Sequence, residues 1–211
     1  MIVIVVDQMR ADYLSRFGHL FQDKDGFARL TGEGAWFQKA EIAHGVTMTS
    51  PGHATIATGS DPSSHGIIQN NWIDRASGEP AYAVADPLGT IIGPPGVDTT
   101  GIRGRSSAAS RRPTMGNWLK VASPTSKVLS IAYKDRASIL MAGSDADGAY
   151  WYEPEVGAYV TSSAFCHGQV LPPWVVDFDR SAALGEARSP TMTWERSLPA
   201  AAYEFVGADD V

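Results

Sequence analysis

The sequence is poor in cysteine, in long apolar runs and in positive charge. Its single cysteine, Cys166, excludes an intrachain disulfide framework and a cysteine-based metal cluster. The formal net charge of −6 argues against nucleic acid as the main partner. The apolar run MIVIVV ends at Asp7 after six residues, and no run approaches the length of a membrane span. We therefore expect an acidic globular protein without a nucleic-acid partner.

The remaining composition suits a domain with a substantial core. With 211 residues, of which 44% are hydrophobic, the chain needs no disulfide or structural metal merely to fold. We predict that residues 1–211 form part of one domain, with a loop-rich surface excursion at about 75–112, where Gly, Pro, Ser and Thr are frequent. An apolar run begins directly at Met1 and AAYEFVGADDV has no obvious closing element, so we expect a fragment of a longer chain.

Strand-like segments that alternate with helical ones predict an α/β fold. The β-branched run MIVIVVDQM is typical of a parallel strand covered on both faces, and SKVLSIAYKDR predicts a second buried strand. AWFQKAEIAHG predicts a further strand, and Pro51 to Thr58 a helix. Thr114 is expected to cap a short helix in TMGNWLKVA. The predicted architecture is a mostly parallel central sheet flanked by helices.

Asp7 is a candidate functional residue because it directly follows the first predicted strand. Ligands of α/β sheets collect at the carboxyl ends of the strands, and a carboxylate there can bind a cation such as zinc. The alternative is an ordinary aspartate that caps the next turn. From this residue alone, the two interpretations are about equally supported.

The segment TSPGHATI has the pattern of a helix start, with Ser50 as the cap and Pro51 at the first helical position. Phosphate would be held by the unpaired N–H groups and the positive end of the dipole, with Thr49 lying against it. A threonine hydroxyl needs a base or a metal to become a nucleophile. A metal on Asp7 suits that role better than His53, which could equally be structural. The alternative is a plain capped helix without chemistry.

Lys134 and Arg136 lie two positions apart at the end of the predicted strand SKVLSIAYKDR. Strand alternation would point both side chains to one face and Asp135 away from it. Two cations on one face would clamp a doubly charged group, and an arginine can bind two of its oxygens. Asn70 and Asn71 could donate amide hydrogens to the same anion. The alternatives are a solvated strand end with a salt bridge to Asp135 and an asparagine turn.

A metal-bound hydroxyl, a helix terminus, an amide donor and a pair of cations together indicate phosphoryl chemistry. The stretches VVDQMRADYLSRF, GFARL, TSPGHATIATGSDPSSHGIIQNNW and YKDRASILMAG resemble the alkaline phosphatase superfamily. They are most similar to its branch with a threonine nucleophile and a Lys/Arg phosphate clamp, typified by the phosphate-irrepressible periplasmic phosphatases. WYEPEVGAYVTSSAF and LPPWVVDFD also look like that branch, so the resemblance covers most of the chain.

The resemblance implies a role for each candidate residue. Thr49 matches the nucleophile, whose oxygen would also touch a zinc ion, and Asp7 matches a zinc ligand. Asn70 matches the asparagine that binds a phosphate oxygen, and Lys134 and Arg136 match the clamp. The implied reaction is the hydrolysis of phosphate monoesters through a phosphothreonine intermediate.

Further expectations follow from the same resemblance. The backbone N–H of Ser50 would help to bind the transferred group, and two zinc ions would balance charge on the entering and leaving oxygens. The implied partner is a small-molecule phosphoester, and the implied location is periplasmic or secreted. The family's other zinc ligands, an Asp-x-x-x-His element, an Asp-His pair and a late histidine, have no counterpart in the second half, where His167 lacks the expected context. We therefore expect poor zinc binding and little or no turnover from this chain alone.

The residues leave other functions open. A phosphodiesterase or nucleotide pyrophosphatase shares the threonine and the asparagine, but there a hydrophobic or nucleoside pocket would replace the clamp. A sulfatase needs C/S-x-P-x-R, whereas this chain has Thr-Ser-Pro-Gly-His. A non-catalytic, anion-binding module without the metal ligands belongs to a different functional class and also fits these residues.

Overall fold

The structure, a computed structural model, describes residues 1–21 and 24–187 together with positions 193, 195, 199 and 201. Backbone contacts divide the chain into two compact units, Met1–Glu41 with Ser189–Val211, and Ile42–Arg188. The placement of residues 1–211 in a single domain stays a prediction. No helix in the described ranges is both long and apolar enough to cross a bilayer.

The first unit contains short helices and lacks the strands predicted for it. Its described elements are α1 (Tyr13–Arg16), a 3₁₀ helix (Gly18–Leu20) and α2 (Gly26–Glu33). The strand predicted at residues 1–6 is wrong, since Ile2 and Ile4 are 89% and 80% exposed and no strand is formed there. A strand exists only where a neighbour completes its hydrogen-bond ladder, and no described segment does so here. The strand predicted for AWFQKAEIAHG is absent for the same reason.

The second unit contains the sheets and the longer helices. Its described helices are α3 (Thr49–Thr58), α4 (Pro62–His65), α5 (Met115–Ala122), α6 (Asp135–Ala142), α7 (Pro173–Asp179) and α8 (Ala182–Ala187). Its described strands are β1 (Asn71–Ile73), β2 (Pro80–Tyr82), β3 (Ile91–Ile92), β4 (Leu129–Ala132), β5 (Gly148–Glu153) and β6 (Ala158–Ser162). β1 and β2 form an antiparallel pair, and the other four strands form a sheet in the order β3-β6-β5-β4.

The predicted α/β class is confirmed, but the four-stranded sheet is mixed rather than mostly parallel. β4 and β5 are parallel because α6 connects them as a crossover, whereas the short turn between β5 and β6 forces an antiparallel pair. β3 also pairs antiparallel with β6. β4 was predicted to be buried, yet it is the edge strand of this sheet, and Leu129 and Ile131 are 55% and 57% exposed.

The core of the second unit packs α3 and α6 against each other and against the sheet. Ala54 of α3, Ile139 of α6, Trp151 of β5 and Val160 of β6 belong to one buried cluster, each at most 1% exposed. Burying a large apolar side chain contributes about 1.5–3 kcal/mol, so this cluster fixes both helices. The predicted cap of α5 is confirmed, since the Thr114 hydroxyl accepts from the backbone N–H of Asn117.

The excursion at 75–112 is loop-rich, as predicted, but it is partly buried and closes on itself. Ala85 and Arg105 form an isolated antiparallel bridge, and Val84 lies in the core. A Cβ atom at Gly104 would collide with the backbone of Gly89, so this close approach requires glycine. Ala85 lies three residues after Tyr82, the last residue of β2. The bridge therefore brings Arg105 close to the end of that strand.

Candidate active site

Thr49, the predicted nucleophile, is the first residue of α3. It therefore lies at the start of a helix, as expected. The residue before it, Met48, has an extended backbone and offers no side-chain cap. The prediction that Ser50 caps the helix is therefore wrong, since Ser50 lies within the first turn and is fully buried. Pro51 likewise occupies the third helical position rather than the first.

Asn70 supplies the missing cap from a distance. Its side-chain Oδ1 accepts from the backbone N–H of Ser50 at 2.9 Å and from the Ser50 hydroxyl at 2.8 Å. The first turn of a helix leaves its N–H groups without intrahelical partners, and this oxygen satisfies one of them. Because Oδ1 faces Ser50, the amide NH₂ of Asn70 points away from it. This is the end of the side chain that can donate to an anion.

The predicted role of Ser50 changes with this contact. Its backbone N–H was expected to help bind the transferred group, but that hydrogen is directed at Asn70. In this structure Ser50 is therefore a hydrogen-bond partner of Asn70, and its contact with substrate stays a prediction. The neighbouring Asn71 is exposed and belongs to β1, so the two adjacent asparagines have different positions.

His53 is structural in this arrangement. Its Nδ1 lies 2.7 Å from the backbone oxygen of Thr49, and since a carbonyl only accepts, Nδ1 carries the proton. The side chain is 5% exposed. This contact involves the main chain of Thr49, so it holds the helix start and does not activate the hydroxyl.

Two other histidines, His44 and His65, are linked through Thr55. The Thr55 hydroxyl lies 3.1 Å from Nε2 of His65 and 3.3 Å from Nε2 of His44. The Nδ1 atom of His65 accepts from the N–H of Ile67. Desolvation, followed by the nearby His44, lowers the pKa of His65, while Asp61 opposes them. His65 is therefore a buried neutral histidine.

Asp61 and His65 also have the Asp-x-x-x-His spacing that was expected of zinc ligands in the second half of the chain. Both ring nitrogens of His65 have hydrogen-bond partners within the protein, and the residue is fully buried. This pair therefore stabilises the turn around α4 and does not form part of a metal site.

Lys134 and Arg136 flank the start of α6 rather than the end of a strand. β4 ends at Ala132, Lys134 is the N-cap of α6, and Arg136 is its second residue. The strand-alternation argument for a shared face is therefore wrong. Lys134 is exposed, and its Nζ lies 5.3 Å from the ring centroid of Tyr133.

Arg136 is held by Tyr82, a residue for which the sequence offered no signal. The Arg136 Nη1 donates to the Tyr82 hydroxyl at 2.7 Å, and that hydroxyl donates to the carboxylate of Asp135 at 2.7 Å. Arg105 completes the group through an ion pair of 3.0 Å with Asp135. We call Tyr82, Arg105, Asp135 and Arg136 the Tyr82 cluster.

The burial of this cluster argues against a solvated position for Arg136, whereas Lys134 is exposed. The side chains of Arg105 and Asp135 are only 17% and 12% exposed. Desolvation, followed by the charge of Asp135, raises the pKa of Tyr82 far above its ordinary value of 10.0, so its hydroxyl stays protonated. The Nε of Arg136 is buried and has no hydrogen-bond partner among the described residues.

The β1–β2 hairpin joins Asn70 to the Tyr82 cluster. Asn71 and Tyr82 are directly opposed in its ladder, and the N–H of Ala83 donates to the backbone oxygen of Asn70 at 3.0 Å. The hairpin therefore places Asn70, which is bonded to Ser50, close to Tyr82, which is bonded to Arg136. The structure thus brings three of the predicted substrate-binding residues into one connected group, whereas Lys134 is adjacent only through the chain.

Asp7, the predicted zinc ligand, belongs to the first compact unit and is exposed in a turn there. A structural or catalytic zinc site needs three or four protein ligands. In the part of the chain that the structure describes, no group of three or more His, Cys, Asp or Glu side chains could hold a metal. The described residues do not fit a complete zinc site, so zinc binding by Asp7 and Thr49 stays a prediction.

Comparison with known proteins identifies relatives over nearly the whole chain. The family model for type I phosphodiesterase / nucleotide pyrophosphatase matches residues 1–197. The alkaline phosphatase PafA of Elizabethkingia meningoseptica is 34% identical over 99% of this chain, which spans 37% of that protein. The alkaline phosphatase PhoV of Synechococcus elongatus is 38% identical over 83% of this chain, which spans 31% of that protein.

Solved structures agree with these relatives. The crystal structure of wild-type alkaline phosphatase PafA matches 98% of this chain with a TM-score of 0.87 and 34% identity, over 38% of its own length. A crystal structure of a PafA mutant matches with a TM-score of 0.83. That mutant has a threonine replaced by serine, and an asparagine, a lysine and an arginine replaced by alanine. The chain therefore belongs to the type I phosphodiesterase / nucleotide pyrophosphatase family, within the alkaline phosphatase superfamily.

Proposed function

We propose that this chain supplies the nucleophile and the phosphate-binding residues of an enzyme that hydrolyses phosphate monoesters. The observation that carries the proposal is that the β1–β2 hairpin brings Asn70, at the start of α3, close to the Tyr82 cluster. Asn70 orients its amide NH₂ away from Ser50, and its neighbour Tyr82 holds Arg136. These groups are donors of the kind that bind phosphate oxygens.

The proposed reaction has two displacements at phosphorus. The Thr49 oxygen attacks, the bond to the leaving alcohol breaks, and a phosphothreonine forms. Water then attacks the phosphothreonine, releasing phosphate and restoring the hydroxyl. Through both steps the amide of Asn70 and the cations of Lys134 and Arg136 would stabilise the nonbridging oxygens. Because the Thr49 hydroxyl is a weak nucleophile, it requires an activating group, and the described residues do not supply a complete metal site for that role.

The alkaline phosphatase PafA mutant supports the assignment of residues. In that protein the replaced threonine and asparagine have the same separation along the sequence as Thr49 and Asn70. Its replaced lysine and arginine are two positions apart, like Lys134 and Arg136. Zinc as the metal and a periplasmic or secreted location are proposed on the same relationship.

A phosphodiesterase or nucleotide pyrophosphatase is the second candidate, because the matching family model carries that description. The charge of the substrate separates the two functions. A phosphate monoester presents a dianion, which suits two cations, whereas a diester presents a single negative charge. We expect the natural full-length protein to hydrolyse p-nitrophenyl phosphate faster than bis-p-nitrophenyl phosphate.

Replacement of Thr49 tests the nucleophile. In the natural full-length protein supplied with zinc, Thr49→Ala should lower phosphate release from p-nitrophenyl phosphate by at least roughly 1,000-fold, as expected for loss of a covalent nucleophile. Thr49→Ser should keep part of the activity. Thr47→Ala, which changes an exposed residue of the same type just before α3, is the matched control.

The outcomes separate the proposals. Unchanged turnover in Thr49→Ala would exclude Thr49 as the nucleophile. A faster reaction with the diester would favour the phosphodiesterase. Phosphate binding without turnover of either substrate would instead support the non-catalytic anion-binding module.

A further inference from the structure

We propose that Tyr82 and Arg105 are positioning residues that keep the charge of Arg136 available to a bound phosphoryl group. The proposal rests on the proposed function, because it concerns the way in which one predicted substrate-binding residue is held. Neither residue was singled out by the sequence, and both lie in the excursion at 75–112.

The first step of the argument concerns Asp135, which lies next to Arg136 in the chain. Had its carboxylate formed an ion pair with the Arg136 side chain, the pair would be neutral and a poor site for an anion. The structure directs the carboxylate to Arg105 instead, at 3.0 Å, and to the hydroxyl of Tyr82. Arg105 therefore compensates the charge of Asp135, and the Tyr82 cluster keeps one net positive charge.

The second step concerns the hydroxyl of Tyr82, which lies between Asp135 and Arg136. It has one hydrogen to donate and lone pairs to accept with, and both capacities are used: it donates to Asp135 and accepts from the Nη1 of Arg136. The guanidinium carbon of Arg136 also lies 5.4 Å from the centroid of the Tyr82 ring. Arg136 is thus oriented by a neutral partner, which fixes its direction without cancelling its charge.

The third step concerns the donors that remain on Arg136. Its Nη1 donates to Tyr82, and its Nε is buried without an acceptor among the described residues, so that part of the side chain is enclosed by protein. The guanidinium has further N–H groups on Nη1 and Nη2. These are the donors that a phosphoryl oxygen would meet, and a bound anion would also neutralise the charge.

Arg105 is itself fixed by the backbone around it. Its carbonyl oxygen accepts from the hydroxyl of the fully buried Ser162 at 2.6 Å, and it is bridged to Ala85. Its guanidinium carbon lies 5.1 Å from the centroid of the Tyr82 ring. The excursion therefore places both Tyr82 and Arg105 in contact with the carboxylate of Asp135, at the start of α6.

The test measures the affinity of the natural full-length protein for inorganic phosphate, by calorimetry and by competitive inhibition of p-nitrophenyl phosphate hydrolysis. Tyr82→Phe keeps the ring and removes the hydroxyl, and it should weaken phosphate binding roughly 10- to 100-fold, the range for one hydrogen bond to a charged group. Tyr150→Phe is the control, since that ring is buried in another cluster, with Leu171 and Val175. It should leave the affinity unchanged.

A double-mutant cycle separates positioning from a general loss of structure. In an Arg136→Ala background, Tyr82→Phe should have no further effect on phosphate affinity, because its effect passes through Arg136. Arg105→Met should weaken phosphate binding by releasing Asp135 to pair with Arg136, and Arg105→Lys should restore part of it. Near-native thermal midpoints would show that these variants fold.

Each outcome bears on one proposal or on both. Equal phosphate affinity in wild type and Tyr82→Phe, or an undiminished effect of Tyr82→Phe in the Arg136→Ala background, would overturn the positioning role alone. A wild-type protein that binds phosphate but releases none from either ester would overturn the proposed hydrolysis and leave the positioning role testable by affinity. A wild-type protein that binds no phosphate would overturn both.

Discussion

The starts of α3 and α6 present the two halves of the proposed site, and they are stabilised in opposite ways. α3 begins at Thr49 and is capped by the neutral amide oxygen of Asn70, which accepts from Ser50. α6 begins at Asp135 and is held within a charged group that includes Arg105 and Tyr82. The first start presents a hydroxyl and an amide, whereas the second presents cations.

The proposed site would therefore offer two kinds of donor to one anion. A neutral amide cap fixes geometry without adding negative charge, so it would not repel an anion beside Thr49. The charged group at α6 is balanced internally except for Arg136 and the exposed Lys134. Substitutions at each start should therefore separate effects on geometry from effects on charge.

Among the variants that probe this comparison, the largest expected effect concerns Asn70. Asn70→Asp keeps an oxygen that accepts both bonds from Ser50 but replaces the amide donor with a negative charge. Phosphate release should fall roughly 100-fold or more, as for loss of one donor to a transition-state oxyanion, while the thermal midpoint changes little.

Asn70→Ala is the companion variant, and it should lose stability as well as activity. It leaves the N–H and the hydroxyl of Ser50 without their acceptor, at a cost of about 1–3 kcal/mol. Asn71→Ala, at the exposed neighbouring position, is the control for both measurements. An active Asn70→Asp protein would contradict the donor role.

The second effect concerns the charge balance at α6. Asp135→Asn removes the partner of Arg105 and leaves two cations close to Tyr82, so the free energy of unfolding should fall by about 1–3 kcal/mol in urea denaturation. Glu33→Gln is the control, because it breaks an exposed ion pair with Arg29 in which the N–O distance is also close to 3 Å. This variant should change the free energy of unfolding by less than about 0.5 kcal/mol. Equal losses in the two variants would show that the Tyr82 cluster contributes no more than a surface pair.

The smallest effect is a pH dependence from His65 behind α3. Burial and the nearby His44 lower its pKa in the folded protein below the ordinary value of 6.5. The unfolded chain therefore takes up the proton first, and the free energy of unfolding should fall as the pH decreases from about 6.5 downward. Urea denaturation between about pH 8 and pH 5 measures this slope, and His65→Asn should reduce it. An unchanged slope in that variant would assign the dependence to other groups.

The sequence predicts local features of the fold better than the contacts of the site. The helix over Pro51 to Thr58, the cap at Thr114 and the α/β class follow from patterns over a few residues, and the structure confirms them, although the helix begins at Thr49. The strand predicted at residues 1–6 fails because an apolar run does not reveal whether another segment completes its ladder. The same limit explains why β4 is an edge strand and the sheet is mixed.

The contacts of the candidate site join residues far apart in the chain. Asn70 accepts from Ser50, which lies 20 positions before it, and Tyr82 bonds with Asp135 across 53 positions. The family resemblance predicted that Asn70 and Arg136 bind an anion, but it did not indicate which residues orient them. Tyr82 and Arg105 therefore became visible only in the structure, where the β1–β2 hairpin and the bridge at Ala85 place them.

The closed excursion at 75–112 has one segment that should tolerate inserted residues. The bridge between Ala85 and Arg105 fixes both sides of the loop next to the cluster, while residues 95–98 at its far side are exposed. Each doubling of loop length costs only about 0.6 kcal/mol in closure entropy, so an insertion at 95–98 should destabilise the fold little. We therefore expect the protein to accept a tag, a label or a grafted segment there without a change in the contacts of Arg136.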